Sequence, residues 1–163
     1  PEGWGALEDK TSTAPAIFAA ETAEYTSPFV QGKMELTVMK TDVAVVDALY
    51  HGASVKPVEE SAGKYKWQVI EPNLQSGEYQ PGDAYPAKVA YEKDGLVVYE
   101  FENAHASAAW SLFAFASGDH IVTIKFPYNN PLDMDTITQE QFDASNVEYK
   151  ATLAQIAKTV RVE

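Results

Sequence analysis

WSLFAFASGDHIVTIKF, residues 110–126, reads as two strands joined by a turn: Trp110 to Ala116, then Ser117-Gly118-Asp119, then Ile121 to Phe126. A half-solvated antiparallel strand alternates apolar and polar side chains, because successive residues point to opposite faces. This stretch does not alternate. Leu112, Phe113 and Phe115 put apolar groups on both faces of the first strand, and Ile121, Val122, Ile124 and Phe126 do so on the second. Both faces of this hairpin must therefore be covered, and helices are the expected cover.

Working outward, Tyr85, Val89 and Tyr91 alternate with Lys88 and Glu92, and Lys93-Asp94-Gly95 turns the chain into Leu96 to Glu102, the signature of a second hairpin. Upstream of it, Pro72 to Asp83 holds two prolines and two glycines and reads as a loop. Lys64 to Ile70 alternates with Tyr65, Trp67 and Val69 on one side, and Lys33 to Lys40 with Met34, Leu36 and Val38, so both read as strands. Ala14 to Ala20 is expected to pair near the latter. Thr41 or Asp42 is placed to cap a short helix in which Val43, Val45, Val46, Leu49 and Tyr50 make an apolar stripe ended by Gly52. A terminal helix is expected to begin at Ser145, whose spacing to Glu148 fits a capping box, with Tyr149, Leu153, Ile156, Ala157 and Val160 on its buried face. The fold class that follows is α+β, an antiparallel sheet sandwiched by helices, and the 163 residues are expected to form a single domain.

Composition narrows the function classes. The chain carries 12 Lys and Arg against 24 Asp and Glu, a net charge of -12, and its one arginine is Arg161. Nucleic-acid binding, which needs clustered cations on phosphates, is not expected. There is no cysteine, which removes disulfides, thiolate nucleophiles and cysteine-based zinc sites together. The longest mainly apolar stretch, Ala104 to Ala116, is too short for the roughly 20 residues of a membrane helix. Acids are unevenly spread: residues 71–104 hold seven acids and two lysines, whereas 105–130 hold one of each.

Catalytic and metal motifs are thin. No G-x-S-x-G elbow is present, and His51, His105 and His120 lie far apart in sequence. Gly63-Lys64 lacks the earlier glycine of a phosphate loop, with Val58 in its place, and Tyr65 stands where a magnesium-binding hydroxyl belongs. Asn129, Asn130, Asp133 and Asp135 start like a calcium loop, but Ile137 and Thr138 break the ligand pattern, so Asp133 and Asp135 are weak metal candidates and no metal or cofactor is expected. The residues best suited to recognition are Tyr79, Asp83 and Tyr85, in or beside the Gly/Pro loop, where tyrosines offer rigid contact area and acids steer a partner.

The opening Pro1-Glu2-Gly3-Trp4, the two consecutive hairpins and the closing Leu153-x-x-Ile156-Ala157-x-Thr159-Val160-x-Val162 together resemble the PsbP-like superfamily, in style its bacterial secreted and lipoprotein members of the LpqN type. The resemblance implies an antiparallel sheet between helices, action through partners rather than a shared reaction, and a chain truncated at its N-terminus, with a signal and lipobox cysteine upstream. It carries over no catalytic residue. The leading expectation is a non-catalytic extracytoplasmic domain of a bacterial envelope or secreted protein, lipid-anchored in full-length form without spanning the membrane, that binds a protein or envelope component. Two alternatives stand beside it: a hydrolase acting on carbohydrate or peptide through paired carboxylates, and a carrier of a small apolar ligand.

Overall fold

The computed structural model describes residues 4–10, 17–26, 31–47, 53–72, 77–103, 110–127 and 138–162. Its strands are β1 (Trp4–Lys10), β2 (Ile17–Thr26), β3 (Gln31–Lys40), β4 (Val46–Asp47), β5 (Ser54–Ser61), β6 (Lys64–Glu71), β7 (Ala84–Tyr85), β8 (Lys88–Lys93), β9 (Leu96–Asn103), β10 (Trp110–Ser117) and β11 (His120–Pro127), followed by helix α1 (Gln139–Ala157). A seven-stranded sheet has the order β1-β2-β3-β11-β10-β9-β8, and a four-stranded sheet has the order β4-β5-β6-β7. Neighbouring strands pair antiparallel in both.

The deciding hairpin forms as read. Ala114 lies opposite Thr123 and Phe113 opposite Ile124, and Gly118 at φ +59° makes the tight turn. Even positions of β10 face one way and odd positions the other. Leu112 and Ala114 join Ile121, Met39, Val97, Tyr99 and Phe101 in a core against Val55, Tyr65, Trp67 and Val69 of the smaller sheet. Phe113 and Phe115 join Val98 and Phe126 in a second core against Leu153, Ala157 and Val160 of α1 and the residues after it. The large sheet is thus the middle layer between a sheet and a helix.

This corrects the α+β expectation of a sheet flanked by helices. Two-faced apolar strands demand two covers, but any apolar surface satisfies them, and β4 to β7 supply the second. Where a helix was expected after Thr41, the chain turns at 41–43 and enters β4, with the Thr41 amide donating to the Asp119 carbonyl at 2.9 Å. The burial has period two: Val43 and Val45 are 48% and 44% exposed, Ala44 and Val46 each 2%. An apolar run of this length satisfies both periods, and pairing of Val46 with Val55 decides for the strand. The expected stripe residues Leu49 and Tyr50 lie outside the described residues.

The start of α1 is also corrected. Thr138, not Ser145, is the N-cap: its Oγ1 accepts from the Gln141 amide at 3.2 Å, and its own amide donates to Gln141 Oε1 at 2.8 Å. Ser145 lies inside the helix. The buried face is as expected within the helix, with Leu153 and Ala157 buried and Tyr149 and Ile156 half-buried, whereas Val160, also buried, lies beyond the helix end at Ala157. The Tyr149 hydroxyl donates to the Phe126 carbonyl at 2.9 Å, tying the helix to β11.

Candidate functional site

The loop singled out in the sequence is held to the smaller sheet by its backbone. The Val69 amide donates to the Asp83 carbonyl at 2.8 Å, and the Gly82 amide to the Val69 carbonyl at 2.8 Å, so Gly82 and Asp83 run alongside β6 before β7 pairs Tyr85 with Trp67. Gly82 takes φ +97°, a conformation that glycine adopts without strain. The turn ahead of it is closed twice by Asp83. Its Oδ2 accepts from the Gln80 amide at 2.8 Å, and its amide donates to the Gln80 carbonyl at 3.1 Å. The carboxylate is short enough to reach back across Pro81-Gly82 to an amide three residues earlier.

Tyr85 stacks on core Phe101 with ring centroids 5.7 Å apart and planes 26° from parallel, and Tyr79 leans on Tyr85 at 5.4 Å. Phe101 meets Trp67 edge-on at 4.9 Å, and Trp67 meets Tyr99 edge-on at 5.5 Å. Five rings therefore run from the loop to the centre of the inter-sheet core. The Tyr99 hydroxyl oxygen accepts from the Tyr65 amide at 2.8 Å, which fixes the inner end. Tyr79 and Tyr85 are each half-buried, while Asp83 is exposed. Burial, and secondarily the neighbouring Tyr79, pushes the Tyr85 phenol up to about 12.

The structure thus brings Tyr79, Asp83 and Tyr85 onto one anchored segment. Sequence reasoning did not connect them to Phe101, Trp67 and Tyr99. Alternation marks Phe101 and Tyr99 as sharing a face of β9, and marks Trp67 on β6, but the stacking of two sheets joins them and no local spacing encodes it.

Asp133, Asp135, His51 and His105 lie outside the described residues. His120 has Nδ1 at 2.7 Å from Asp119 Oδ1 in the β10–β11 turn. Among the described residues no three His, Asp or Glu side chains converge as a metal site, and no helix is long and apolar enough to cross a membrane. Several described acids are paired with lysines: Glu92 with Lys64 at 2.6 Å, Glu100 with Lys88 at 2.7 Å, and Glu60 with Lys66. Comparison with known proteins finds no family, no curated protein and no solved structure that matches the chain.

Proposed function

We propose that the chain is a non-catalytic binding domain of a bacterial envelope or secreted protein, and that Tyr79, Asp83 and Tyr85 belong to the surface that meets a protein or envelope partner. The observation that carries this reading is the anchored loop: Tyr79 is half-exposed on a ring stack rooted in the core, beside an exposed acid that closes its own turn. Preorganised aromatic area loses little conformational freedom on binding, and that favours affinity. The surrounding acids suit a partner bearing cations, and they raise the rate of encounter more than the affinity.

The test uses variants chosen so that the fold survives. Tyr79→Ala and Asp83→Asn remove groups at the outer end of the stack, and Tyr85→Phe keeps the ring on Phe101 while deleting the hydroxyl. With thermal stability checked first, capture of partners from an envelope extract should fall in Tyr79→Ala and slow in Asp83→Asn, with the difference shrinking as salt rises. Retention of every partner by all three variants, combined with loss in a variant altered on the exposed face of α1, would place the interaction face elsewhere. Fractionation of cells expressing the native gene tests the compartment; a product confined to the cytosol overturns that part of the reading.

A further inference from the structure

A groove of about 430 Å³ lies between the β8–β9 turn, the end of β10 and the segment that follows α1. Its apolar walls come from Leu96, Ala116 and Val160, with Tyr91 beside them. Two of the chain's few cations, Lys93 and Arg161, stand on it, against one acid, Asp94. In a molecule of net charge -12 this is a local reversal of sign, and such a reversal concentrates anions. The volume falls within the roughly 300–1,000 Å³ of small-molecule sites.

Arg161 is held in place by the chain itself. Its Nη1 donates to the carbonyl of Lys158 at 2.8 Å and to that of Val160 at 2.6 Å, filling acceptors left over at the end of α1. With one nitrogen engaged, the planar guanidinium is oriented in advance, and the hydrogens on Nε and Nη2 have no protein acceptor among the described residues. A guanidinium presenting one edge in this way matches the two oxygens of a carboxylate. Lys93 approaches Asp94 only to 3.9 Å, too long for a hydrogen bond, so its ammonium is available as a second positive point. The apolar walls argue against a bare inorganic anion, which would leave them wet.

We propose that this groove binds a small carboxylate carrying an apolar body, with the carboxylate on Arg161 and Lys93 and the body on Leu96, Ala116 and Val160. The site shares no residue with the loop of Tyr79 and Tyr85, and it stands or falls separately. Because the groove is open on one side, dissociation constants near the millimolar range are expected for a one-ring probe.

Amide NMR titration with phenylacetate tests this, with phenylacetamide as a neutral analogue of the same shape and inorganic phosphate as a bare anion. Phenylacetate should shift the amides of Gly95, Leu96, Ala116 and Val162 saturably, and phenylacetamide should bind roughly tenfold more weakly, since a charge-assisted contact is lost. Lys93→Gln, which leaves the carbonyl contacts of Arg161 intact, should weaken phenylacetate several-fold without altering the remaining spectrum. Arg161→Gln should abolish it. Equal binding of phenylacetamide would show a merely apolar groove, and equal effects of phosphate a bare anion site. Shifts at these amides that depend on protein concentration alone would show a self-association face. Each of those three results, like an absence of any shift, overturns the proposal.

Discussion

Gly63 stands at φ +77°, and a Cβ built there would lie 2.9 Å from the carbonyl oxygen of Gly95, because the β5–β6 turn meets the β8–β9 turn at that point. Gly63→Ala therefore combines left-handed backbone strain with a clash against backbone, which has little freedom to move. A loss above about 1 kcal/mol is expected from the strain alone, read as a lower urea midpoint at unchanged m-value. Gly118 is also left-handed, at φ +59°, but has nothing within 4 Å of the same position. Gly118→Asn should be nearly neutral, since asparagine tolerates this region, and equal losses at the two sites would refute the close-approach explanation. Tyr85 makes a different kind of residue-scale prediction. Its folded-state pKa of about 12 lies above the ordinary phenol value of 10.0, so above pH 10 the unfolded chain releases this proton first. The stability contributed by the neutral phenol is complete below pH 10 and is lost as pH rises toward 12. Burial also raises the Tyr65 phenol, so spectroscopic titration should show a late-titrating tyrosine component that shrinks, without vanishing, in Tyr85→Phe, and the variant's alkaline unfolding should be less steep. Ionisation of every tyrosine near pH 10 in the folded protein would contradict the burial of this ring.

At the scale of elements, α1 separates what sequence shows from what it hides. Two N-terminal signatures sit close together in the chain, Thr138-x-x-Gln141 and Ser145-x-x-Glu148, and the apolar periodicity is compatible with either. The structure uses the earlier one, so the helix extends further back than its amphipathic part. Thr138→Ala should cost about 1 kcal/mol as a lost cap, whereas Ser145→Ala, in the helix interior where alanine is favoured, should cost nothing or add stability. The reverse ranking in chemical denaturation would put the cap back at Ser145. Leu153, 1% exposed in the core beneath the helix, is expected to lose about 2–5 kcal/mol on replacement by Ala. β6 was legible in its alternation, and β9, β10 and β11 in turns that carry Gly at left-handed positions. The stretch read as alternating through Tyr85, Val89 and Tyr91 instead divides: Tyr85 lies in β7 of the smaller sheet, and β8 shifts register between Val89 and Tyr91 and leaves Val89 exposed. β5 was not, since Ser54 to Ser61 contains Lys56, Pro57, Glu59 and Glu60 and no long alternation. Pro57 is tolerated because the pairing of β4 with β5 ends at Val55, so among the described residues no strand pairs with the proline on that side. The recognition loop was legible in its turn residues, but its anchoring was not. The groove at Arg161 was invisible, because residues near 95, 116 and 161 meet only after the sheet and helix are assembled.

For the whole molecule, the question is how charge acts on a fold whose layers are held by two apolar cores. A formal net charge of -12 over 163 residues favours expansion through self-repulsion. Opposing it are ion pairs that are mostly exposed: Lys64 and Glu92 retain 52% and 48% of their side-chain surface, and Lys66 and Glu60 retain 64% and 44%. Pairs of that kind contribute about 0–1 kcal/mol each. The pair of Lys88 with Glu100 is less exposed on the carboxylate side, at 9%, but its lysine is largely in water. Salt screens both effects, shortening the Debye length from about 30 Å at 0.01 M to about 10 Å at 0.1 M. Contacts near 2.7 Å are screened little over that range, whereas repulsion among acids that are not in contact acts at distances comparable to the screening length, and the chain has 24 acids in all. Repulsion should therefore weaken more than attraction, and sodium chloride should raise the thermal midpoint. A gain of about 1 kcal/mol would appear as roughly 2–4 °C for a chain of this size. Chloride is the appropriate anion for the measurement, because sulfate strengthens apolar burial through exclusion from the surface and would raise the midpoint for an unrelated reason. Calorimetric scans across this salt range, repeated with Lys64→Met to remove one pair, separate the terms: the wild-type midpoint should climb, and the variant should climb by a similar amount. A midpoint that falls with salt, and falls less in Lys64→Met, would mean that the surface pairs outweigh the repulsion and that the acidic excess is already compensated within the fold.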